Sequence, residues 1–546
     1  GLVKKIVDDG VEFETGPNAI LLSDVQIQQG RFWNLAEFPV LHMLYRQGMA
    51  IPKHPGNTGR KPLLIGLSDR AEGVISYIHR GTYGLVNKKE MAEAGVPERD
   101  MDDLWGLKLK FASGAIKSPH ELIDVIPVVD GSAGLPDGVS LERLGPNRYR
   151  FTKKGQQAEI DMNLGFGEDW TASYTLNATR NEVGYFSITH IGEGNGWNPE
   201  RPCMGSMITY RGHRYLIDAG PGIDYSLDVL GIDVSEIDGV FVTHVHDDHF
   251  AGLTSLLRGD RKRKLFATGP VLATVRLKCA AILEREPDFL DHLVEIVLLE
   301  EDVWNDIGGL EVRPTTSPHP LETTIMFFRV LWEGGYRSYA HLADIISKKV
   351  LTSFIAPDGI TEKFRDRVFD EYHRMADVKK IDAGRGLIHG AAEDFTDDPS
   401  TRLILSHTEG PLSEEEKDVG ASVSFGQVDI LIPDRGDRLR EQAKMLLLQS
   451  VSGMAGEDTD RLLNGTVESF QPGSPLVKKG AIPEHLLLVI TGTVDVIAVD
   501  SHAAPRFAAG SLIGEVEFLN RTPARTSYRS RNHVRALRIP ADIYVH

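Results

Sequence analysis

The segment Phe241 to Leu253, FVTHVHDDHFAGL, concentrates side chains that bind metal ions. His244 and His246 lie two residues apart, and alternate side chains of an extended backbone point to the same side. Asp248 and His249 follow where a strand pattern gives way to a helix pattern. Imidazole and carboxylate ligands at this spacing suit a borderline divalent ion such as zinc. The alternative is a solvated surface loop rich in histidine and aspartate.

The elements that must position this segment follow an α/β pattern. From about residue 185 to 433, strand-like apolar runs alternate with helix-like stretches. One predicted helix covers 361–375 and places Phe364, Val368, Tyr372 and Met375 on one face.

The chain divides into three predicted regions. An N-terminal α+β region (1–182) contains a predicted hairpin at 147–163, and an α/β domain spans 183–432. After the linker sequence IPDRG at 432–436, an amphipathic helix begins near residue 437. Short strands separated by glycines then predict a β-roll, so the third region is 433–546.

Composition limits the classes of function. The 60 Lys+Arg and 78 Asp+Glu residues give a formal charge of −18, which disfavours sequence-independent binding to nucleic acid or an anionic membrane. No apolar run is long enough to span a membrane, and no secretion signal is visible. Two cysteines cannot form a disulfide framework. We therefore expect a cytoplasmic protein. A small anionic substrate would require a local site that supplies metal ions.

The HVHDDH segment resembles the H-x-H-x-D-H signature of the metallo-β-lactamase superfamily. The resemblance covers about residues 185 to 433 and implies an αββα sandwich. The upstream stretch GEGNGWNPERPCMGSMITYRGHRYLIDAGPG resembles the opening hairpin of that fold. It places Asp218 where the family has an aspartate that orients a metal ligand.

The resemblance also implies two divalent metal ions, which could be zinc, manganese or iron, because availability decides occupancy as much as ligand type. The implied ligands are His244, His246 and His319 for the first ion, Asp248, His249 and His407 for the second, and Asp344 as the bridge between them.

Two departures from related branches favour hydrolysis of phosphodiesters or thioesters. His246 stands where oxygen-reducing relatives have Glu, and Asp344 stands where lactam-cleaving relatives tend to have Cys. Two ions about 3.5–4 Å apart activate a water molecule and bind the oxygens of a phosphoryl group. The resemblance thus implies that Asp248 is catalytic as well as a ligand.

His389, in LIHGAAEDF, is the second catalytic candidate. This stretch resembles the His-Glu-Ala-Thr loop of the tRNase Z branch, which implies that His389 acts as an acid at the scissile phosphate. Gly390 replaces the Glu that would orient it. A hydrogen-bonded structural histidine is therefore the alternative interpretation.

The C-terminal region resembles the cyclic nucleotide-binding domain over about 110 residues. The resemblance implies that Gly514 and Glu515 bind the phosphate and ribose, together with Arg525 and Thr526. Ala524 separates Pro523 from Arg525, a pair that is adjacent in many members. The alternative is a degenerate roll that is kept for contacts between subunits.

These features predict a dinuclear metal-dependent phosphodiesterase that acts on a small anionic phosphodiester, such as a cyclic nucleotide. Cyclic AMP or cyclic GMP would be the regulatory ligand of the C-terminal domain, and we expect a homo-oligomer. One alternative is a hydrolase of another ester class, such as a thioester. Another is a nucleotide-responsive binding protein whose metal site is structural.

Overall fold

A computed structural model describes residues 3–8, 10–165, 168, 170–177, 183–257, 261–433, 438–450, 454, 456–497, 506–540 and 543–544. Most of the predicted linker at 432–436 lies outside these residues. Among the described helices, none combines the length and the apolarity that a membrane crossing requires.

The N-terminal region is α+β, as predicted. Its strands are β1 (Lys4–Asp8), β2 (Val11–Thr15), β3 (Ala19–Leu21), β4 (Ile27–Gln28), β5 (Arg31–Phe32), β6 (Leu63–Gly66), β7 (Asp124–Pro127), β8 (Ser132–Leu135), β9 (Val139–Gly145), β10 (Arg148–Lys153) and β11 (Gln156–Asp161). Its helices are α1 (Glu37–Leu41), α2 (Ser68–Tyr83), α3 (Lys88–Glu93), α4 (Glu98–Phe111) and α5 (Pro119–Leu122). Strands β10 and β11 form the predicted hairpin at 147–163.

The central region contains the metal-binding motif. Its strands are β12 (Phe186–Gly192), β13 (Gly205–Tyr210), β14 (His213–Ile217), β15 (Gly239–Phe241), β16 (Lys264–Thr268), β17 (Glu295–Leu299), β18 (Asn305–Ile307), β19 (Leu310–Ser317), β20 (Thr323–Trp332), β21 (Gly335–Leu342), β22 (Val378–Asp382), β23 (Arg402–Ser406) and β24 (Val428–Ile432). Its helices are α6 (Ile223–Val229), α7 (Asp247–Phe250), α8 (Leu253–Leu256), α9 (Gly269–Leu283), α10 (Leu290–Leu293), α11 (Lys348–Ser353), α12 (Glu362–Tyr372) and α13 (Glu414–Lys417).

These strands form two sheets that pack face to face. One has the order β17-β16-β15-β14-β13-β12-β24 and the other β18-β19-β20-β21-β22-β23. Apolar residues of both, such as Phe241, Phe266 and Phe328, fill the space between them. Helices cover both outer faces, α9 on the first sheet and α11 and α12 on the second. The predicted αββα sandwich is confirmed.

Helix α12 is shorter than its apolar pattern predicts. Thr361 caps its start by accepting a hydrogen bond from the Phe364 backbone N–H at 3.1 Å. Phe364, Val368 and Tyr372 are buried as predicted. The helix ends at Tyr372, so Met375 leaves the shared face and is 61% exposed.

The N-terminal region packs as part of the sandwich. Val74 and Tyr77 of α2 share one core with Val275 of α9 and Val240 of β15 in the first sheet. This cluster therefore continues across the predicted boundary at 182/183, and the boundary itself stays a prediction.

The C-terminal region begins with α14 (Arg438–Ser450) and α15 (Gly456–Leu462). It continues with β25 (Thr466–Phe470), β26 (Pro475–Val477), β27 (His485–Thr491), β28 (Val494–Ile497), β29 (Arg506–Phe507), β30 (Leu512–Ile513), α16 (Glu515–Leu519), β31 (Ser527–Ser530) and β32 (Val534–Pro540). The strands form two four-stranded sheets, as the predicted β-roll requires. An ion pair of 2.5 Å between Arg461 and Asp306 joins α15 to the sandwich.

Candidate metal centre and its pocket

The first four predicted ligands lie between the end of β15 and the first turn of α7. His244 and His246 are in non-helical backbone, and His246 is the extended residue that precedes the helix. Asp248 and His249 lie on α7. The change from extended to helical backbone brings all four buried side chains to one point.

The other predicted ligands come from the second sheet. His319, Asp344 and His407 each follow within two residues of the end of a strand: β19, β21 and β23 respectively. Strands β21, β22 and β23 are parallel, and β19 runs in the same direction because β20 is antiparallel to both β19 and β21. Their carboxyl ends therefore meet at one edge of the sheet, facing the motif at the end of β15.

The carboxylate of Asp344 lies between two groups of these side chains. Its Oδ2 atom is 3.5 Å from Nε2 of His244 and 3.3 Å from Nε2 of His319. Its Oδ1 atom is 3.0 Å from Nε2 of His249 and 3.3 Å from Nε2 of His407. One carboxylate oxygen thus faces each group.

The remaining two side chains complete the groups. Nδ1 of His246 lies 3.1 Å from Nε2 of His319, and Oδ2 of Asp248 lies 3.0 Å from Nε2 of His407. The ligand atoms of each group lie within 4.8 Å of one another. The groups are His244, His246, His319 and Asp344 on one side, and Asp248, His249 and His407 on the other.

The donor set fits divalent metal ions. Nε2 of His244 and Oδ1 of Asp344 are buried and have no hydrogen-bond partner among the described residues. Buried polar atoms normally have a partner, and imidazole nitrogens and carboxylate oxygens are the donors that zinc takes. Burial lowers the pKa of His246 to about 4, which keeps this imidazole in the neutral form that a metal ligand needs.

Asp218 contacts one of the predicted ligands on the side away from the cavity-lining residues. It follows β14, and its Oδ2 atom lies 2.9 Å from Nδ1 of His249. The same carboxylate accepts hydrogen bonds from the backbone N–H and the hydroxyl of Thr243, at 2.8 and 2.7 Å. A carboxylate on the second ring nitrogen fixes the orientation and tautomer of a ligand histidine.

Sequence reasoning missed Asp382, the last residue of β22. Its Oδ2 atom lies 3.2 Å from Nδ1 of His389, and its Oδ1 atom lies 3.3 Å from Nδ1 of His407. Burial opposes ionisation, but the two imidazoles lower the pKa of Asp382 to about 2. A sequence signal existed, because Asp382 ends a strand-like run just as Asp218 and Asp344 do.

His389 lies in the loop after β22, next to the candidate ligands. Its ring centroid is 4.6 Å from that of His407, and its Nδ1 atom is 3.7 Å from Oδ2 of Asp344. Gly390 leaves no side chain to orient the ring, but Asp382 supplies the missing carboxylate from another element.

A cavity of about 340 Å³ opens above the candidate ligands. His246, Asp248, Asp344 and His389 line its inner end. The other lining residues are mostly apolar: Phe38, Leu41, Tyr45, Ile51, Thr82, Tyr83 and Phe111 from the N-terminal region, and Asn195, Trp197, Pro320, Leu387 and Ile388 from the sandwich. The N-terminal region therefore supplies much of the wall.

A buried ionic cluster ties the N-terminal region to the metal-binding motif. Nζ of Lys278 on α9 donates to Oε2 of Glu37 (2.5 Å), to the carbonyl of Val245 (2.5 Å) and to Oδ1 of Asp247 (2.8 Å). The hydroxyl of Tyr77 donates to the same Asp247 oxygen at 2.5 Å. Sequence reasoning missed this cluster, because its members are far apart along the chain.

The candidate nucleotide site lies between β30 and β31. Gly514 has a φ of +85° and precedes α16, which begins with Glu515. Oε1 of Glu515 accepts a hydrogen bond of 2.5 Å from the hydroxyl of Tyr544. Arg525 is exposed and Thr526 is half-buried, just before β31.

Two family models match the chain. Residues 186–354 match the family described as Anti-Pycsar protein Apyc1, and residues 467–544 match the cyclic nucleotide-binding domain. Ribonuclease Z of Clostridium tetani is 37% identical over 89 residues, which are 15% of this chain and 28% of that protein. Anti-Pycsar protein Apyc1 of Bacillus phage vB_BveM-Goe7 is 28% identical over 92 residues, 16% of this chain and 36% of that protein.

The solved structure of human tRNase Z, short form, is 16% identical, with a TM-score of 0.33, and the alignment covers 45% of this chain and 99% of that chain. The chain spans about a third of the length of the two curated relatives named above. Both predicted resemblances are confirmed: the central part has ribonuclease Z homologues, and the C-terminal part matches the cyclic nucleotide-binding domain.

Proposed function

We propose that the chain is a dinuclear metal-dependent phosphodiesterase that acts on small phosphodiesters, including cyclic nucleotides. We further propose that its C-terminal domain binds a cyclic nucleotide as a regulatory ligand. The observation that carries the first proposal is the position of Asp344, whose two oxygens face two separate groups of buried ligands. A structural metal site needs one such group, whereas two adjacent groups beside an open cavity suit hydrolysis.

The proposed roles of the side chains follow from their positions. Two divalent ions in these groups would supply an activated water molecule and positive charge for the phosphoryl oxygens. Asp248 lines the cavity and is both a ligand and a group at the reacting centre. Asp218 holds His249, and Asp382 lies between His389 and His407, within 3.3 Å of a ring nitrogen of each.

His389 is the proposed general acid. It lines the cavity beside the candidate ligands, and Asp382 contacts its Nδ1 atom. A carboxylate in this position orients the ring, and a protonated imidazole so placed can donate a proton to a departing alkoxide. An alkoxide needs that proton more than a thiolate does, and this favours a phosphodiester over a thioester as substrate.

The test is a substrate panel with metal analysis of the purified chain. We expect hydrolysis of cyclic AMP or cyclic GMP, and of bis(p-nitrophenyl) phosphate, that is lost on chelation and restored by zinc or manganese. His246→Ala should abolish this activity. The matched control is His120→Ala, because the side chain of His120 is 58% exposed and does not line the cavity.

Metal content separates the alternatives. We expect about two ions per chain, falling to about one in His407→Ala. Retained hydrolysis in His246→Ala would contradict the catalytic assignment. Turnover of thioesters alone would favour the other ester class, and bound metal without any hydrolysis would favour a binding protein with a structural site.

A further inference from the structure

We propose that the N-terminal region forms a nucleobase pocket for the metal centre, so that the substrate is a single nucleotide unit whose base stacks on Tyr45 and Trp197. This inference rests on the proposed phosphodiesterase function and names its substrate class. Its starting observation is the cavity of about 340 Å³, which has His389 and Asp344 at its inner end and aromatic rings along its wall.

The rings come from separate parts of the chain. Tyr45 and Tyr83 belong to the N-terminal region, and both line the cavity. Trp197 lies between β12 and β13, and its ring centroid is 5.1 Å from that of Phe38. The guanidinium of Arg46 lies 4.9 Å from the same Trp197 ring. These contacts hold the rings in place without filling the cavity.

The part of the cavity wall that contains Phe38 is held to the metal-binding motif by hydrogen bonds and close packing. Phe38 directly follows Glu37, which is held by Lys278 and by the backbone N–H of Asp247. Gly196 has a φ of +74°, and a Cβ atom there would lie 2.5 Å from the Phe38 ring and 2.7 Å from Cβ of Asp248. Only glycine allows the wall to approach the candidate ligand so closely.

The lining identifies the chemical class of the occupant. Cavities of this volume are at the small end of those that hold small-molecule ligands. The lining, all of it among the described residues, contains no Lys or Arg. A polynucleotide chain needs such cations for its many phosphates, whereas one base needs flat apolar surfaces. A mononucleotide phosphodiester has one base for the apolar pocket and one phosphate for the metal centre.

The test compares two substrates with the same scissile bond: cyclic AMP and its abasic analogue, 1-deoxyribose 3′,5′-cyclic phosphate. Loss of base–aromatic stacking changes affinity by roughly five- to 150-fold. We expect the wild-type chain to prefer cyclic AMP at least tenfold in kcat/KM. Tyr45→Ala and Trp197→Ala should each reduce that preference at least fivefold. Tyr45 is 40% exposed, so its truncation leaves few packing contacts to lose.

The matched control is Tyr336→Ala, which removes a 42% exposed tyrosine of β21 that does not line the cavity. This variant should keep the wild-type preference. Equal turnover of both substrates by the wild-type chain, or an unchanged preference in both pocket variants, would overturn the pocket. Hydrolysis of neither substrate by the wild-type chain would instead contradict the proposed phosphodiesterase function.

If the wild-type chain hydrolyses neither substrate, a binding measurement still tests the pocket. Calorimetry in an Arg525→Ala background, which weakens the candidate C-terminal site, compares AMP with ribose 5-phosphate. We expect AMP to bind at least tenfold more tightly, and Trp197→Ala to remove the difference. Equal affinities in the parent background would show that no base pocket exists.

Discussion

The carboxylate of Asp382 lies 3.2 Å from Nδ1 of His389, although the two residues belong to a strand end and to the loop that follows it. Backbone N–H groups of Ile345, Gly384 and Gly390 donate to the same carboxylate, at 3.1, 2.8 and 3.1 Å. These bonds fix the carboxylate before any substrate binds. Asp382 is therefore a positioning residue for the proposed acid.

We expect Asp382→Asn to lower kcat about 10- to 100-fold, the usual cost of losing a carboxylate that orients an active-site imidazole. The loss should be larger for cyclic AMP, whose leaving group is an alkoxide, than for bis(p-nitrophenyl) phosphate, whose leaving group departs without a proton. Steady-state kinetics with both substrates measures this contrast.

His389→Ala is the comparison for this prediction. It should show the same dependence on the leaving group, and the double variant should lose little more, because residues that act as a unit are not additive. Metal content should remain unchanged in both single variants. Equal losses with both substrates, accompanied by loss of metal, would show that Asp382 acts through His407 instead.

Lys278→Met should destabilise the chain by about 3–5 kcal/mol, because it leaves the buried Asp247 carboxylate without its cation and Glu37 without its hydrogen-bond donor. Burial would lower the pKa of Lys278, but the attraction of Asp247 and Glu37 outweighs it and raises this pKa, so the ammonium is retained. Urea unfolding measures the change in the free energy of unfolding. Adding Glu37→Gln should recover part of the loss.

Lys417→Met is the matched control for Lys278→Met. Lys417 pairs with Glu414 at the surface, where its side chain is 54% exposed, and such pairs are worth about 0–1 kcal/mol. A similar loss in the free energy of unfolding in both variants would show that the buried cluster stabilises the fold no more than a surface ion pair does.

Lys380 predicts a dependence of stability on pH. Its Nζ donates to the carbonyls of Gly192 and Gly205, and burial lowers its pKa to about 8. An unfolded lysine has a pKa of about 10.4, so between these values the unfolded chain binds one proton more than the folded chain. The contribution of Lys380 to the free energy of unfolding should therefore rise by about 1.4 kcal/mol per pH unit in this window.

The measurement is urea unfolding of the wild type and Lys380→Met at pH 7, 8, 9 and 10. Titratable groups that both proteins share contribute equally to both free energies of unfolding, so their contributions cancel in the difference between wild type and variant. That difference should stay constant below about pH 8 and then shift in favour of the wild type. A difference that does not change between pH 8 and 10 would mean that Lys380 is charged in the folded chain throughout.

Arg525→Ala should weaken cyclic nucleotide binding at the C-terminal domain at least tenfold, because hydrogen bonds to charged groups are worth about 1.5–3 kcal/mol. Glu515→Ala should lose less, since a ribose hydroxyl is neutral. Tyr544→Phe should bind more tightly, because Glu515 would no longer exchange its bond to the Tyr544 hydroxyl for one to ribose. Calorimetry in a His244→Ala background excludes turnover.

Arg506→Ala is the control for this site, because Arg506 lies in the same roll with a side chain that is 59% exposed. Its affinity should equal that of the parent. Absence of binding heat with both cyclic AMP and cyclic GMP in the parent would show that the roll is structural.

The sequence by itself determined the parts of this protein whose information is local. The spacing of His244, His246 and His249 specifies ligands that one strand end and one helical turn can aim together. Alternating strand and helix patterns determined the α/β class of the central region, and the resemblance carried by the HVHDDH motif implied the αββα sandwich. Glycines between short strands indicated the β-roll. The family resemblance, with the order of the strand patterns along the chain, pointed to Asp344, and this assignment stays a prediction.

Contacts between segments that come together only in the folded chain were decided by the tertiary structure alone. Glu37 and Lys278 are 241 residues apart, and no sequence pattern around either residue indicates that the two side chains meet. The pairing of Asp382 with His389 depends on a loop folding back onto its own strand end. Tyr45 and Trp197 line one cavity because Val40 and Leu44, from the segment that carries Tyr45, belong to the core of the sandwich. Such proximity follows from the packing of the whole chain. It cannot be predicted from the hydrophobic periodicity or from the spacing of residues along the sequence.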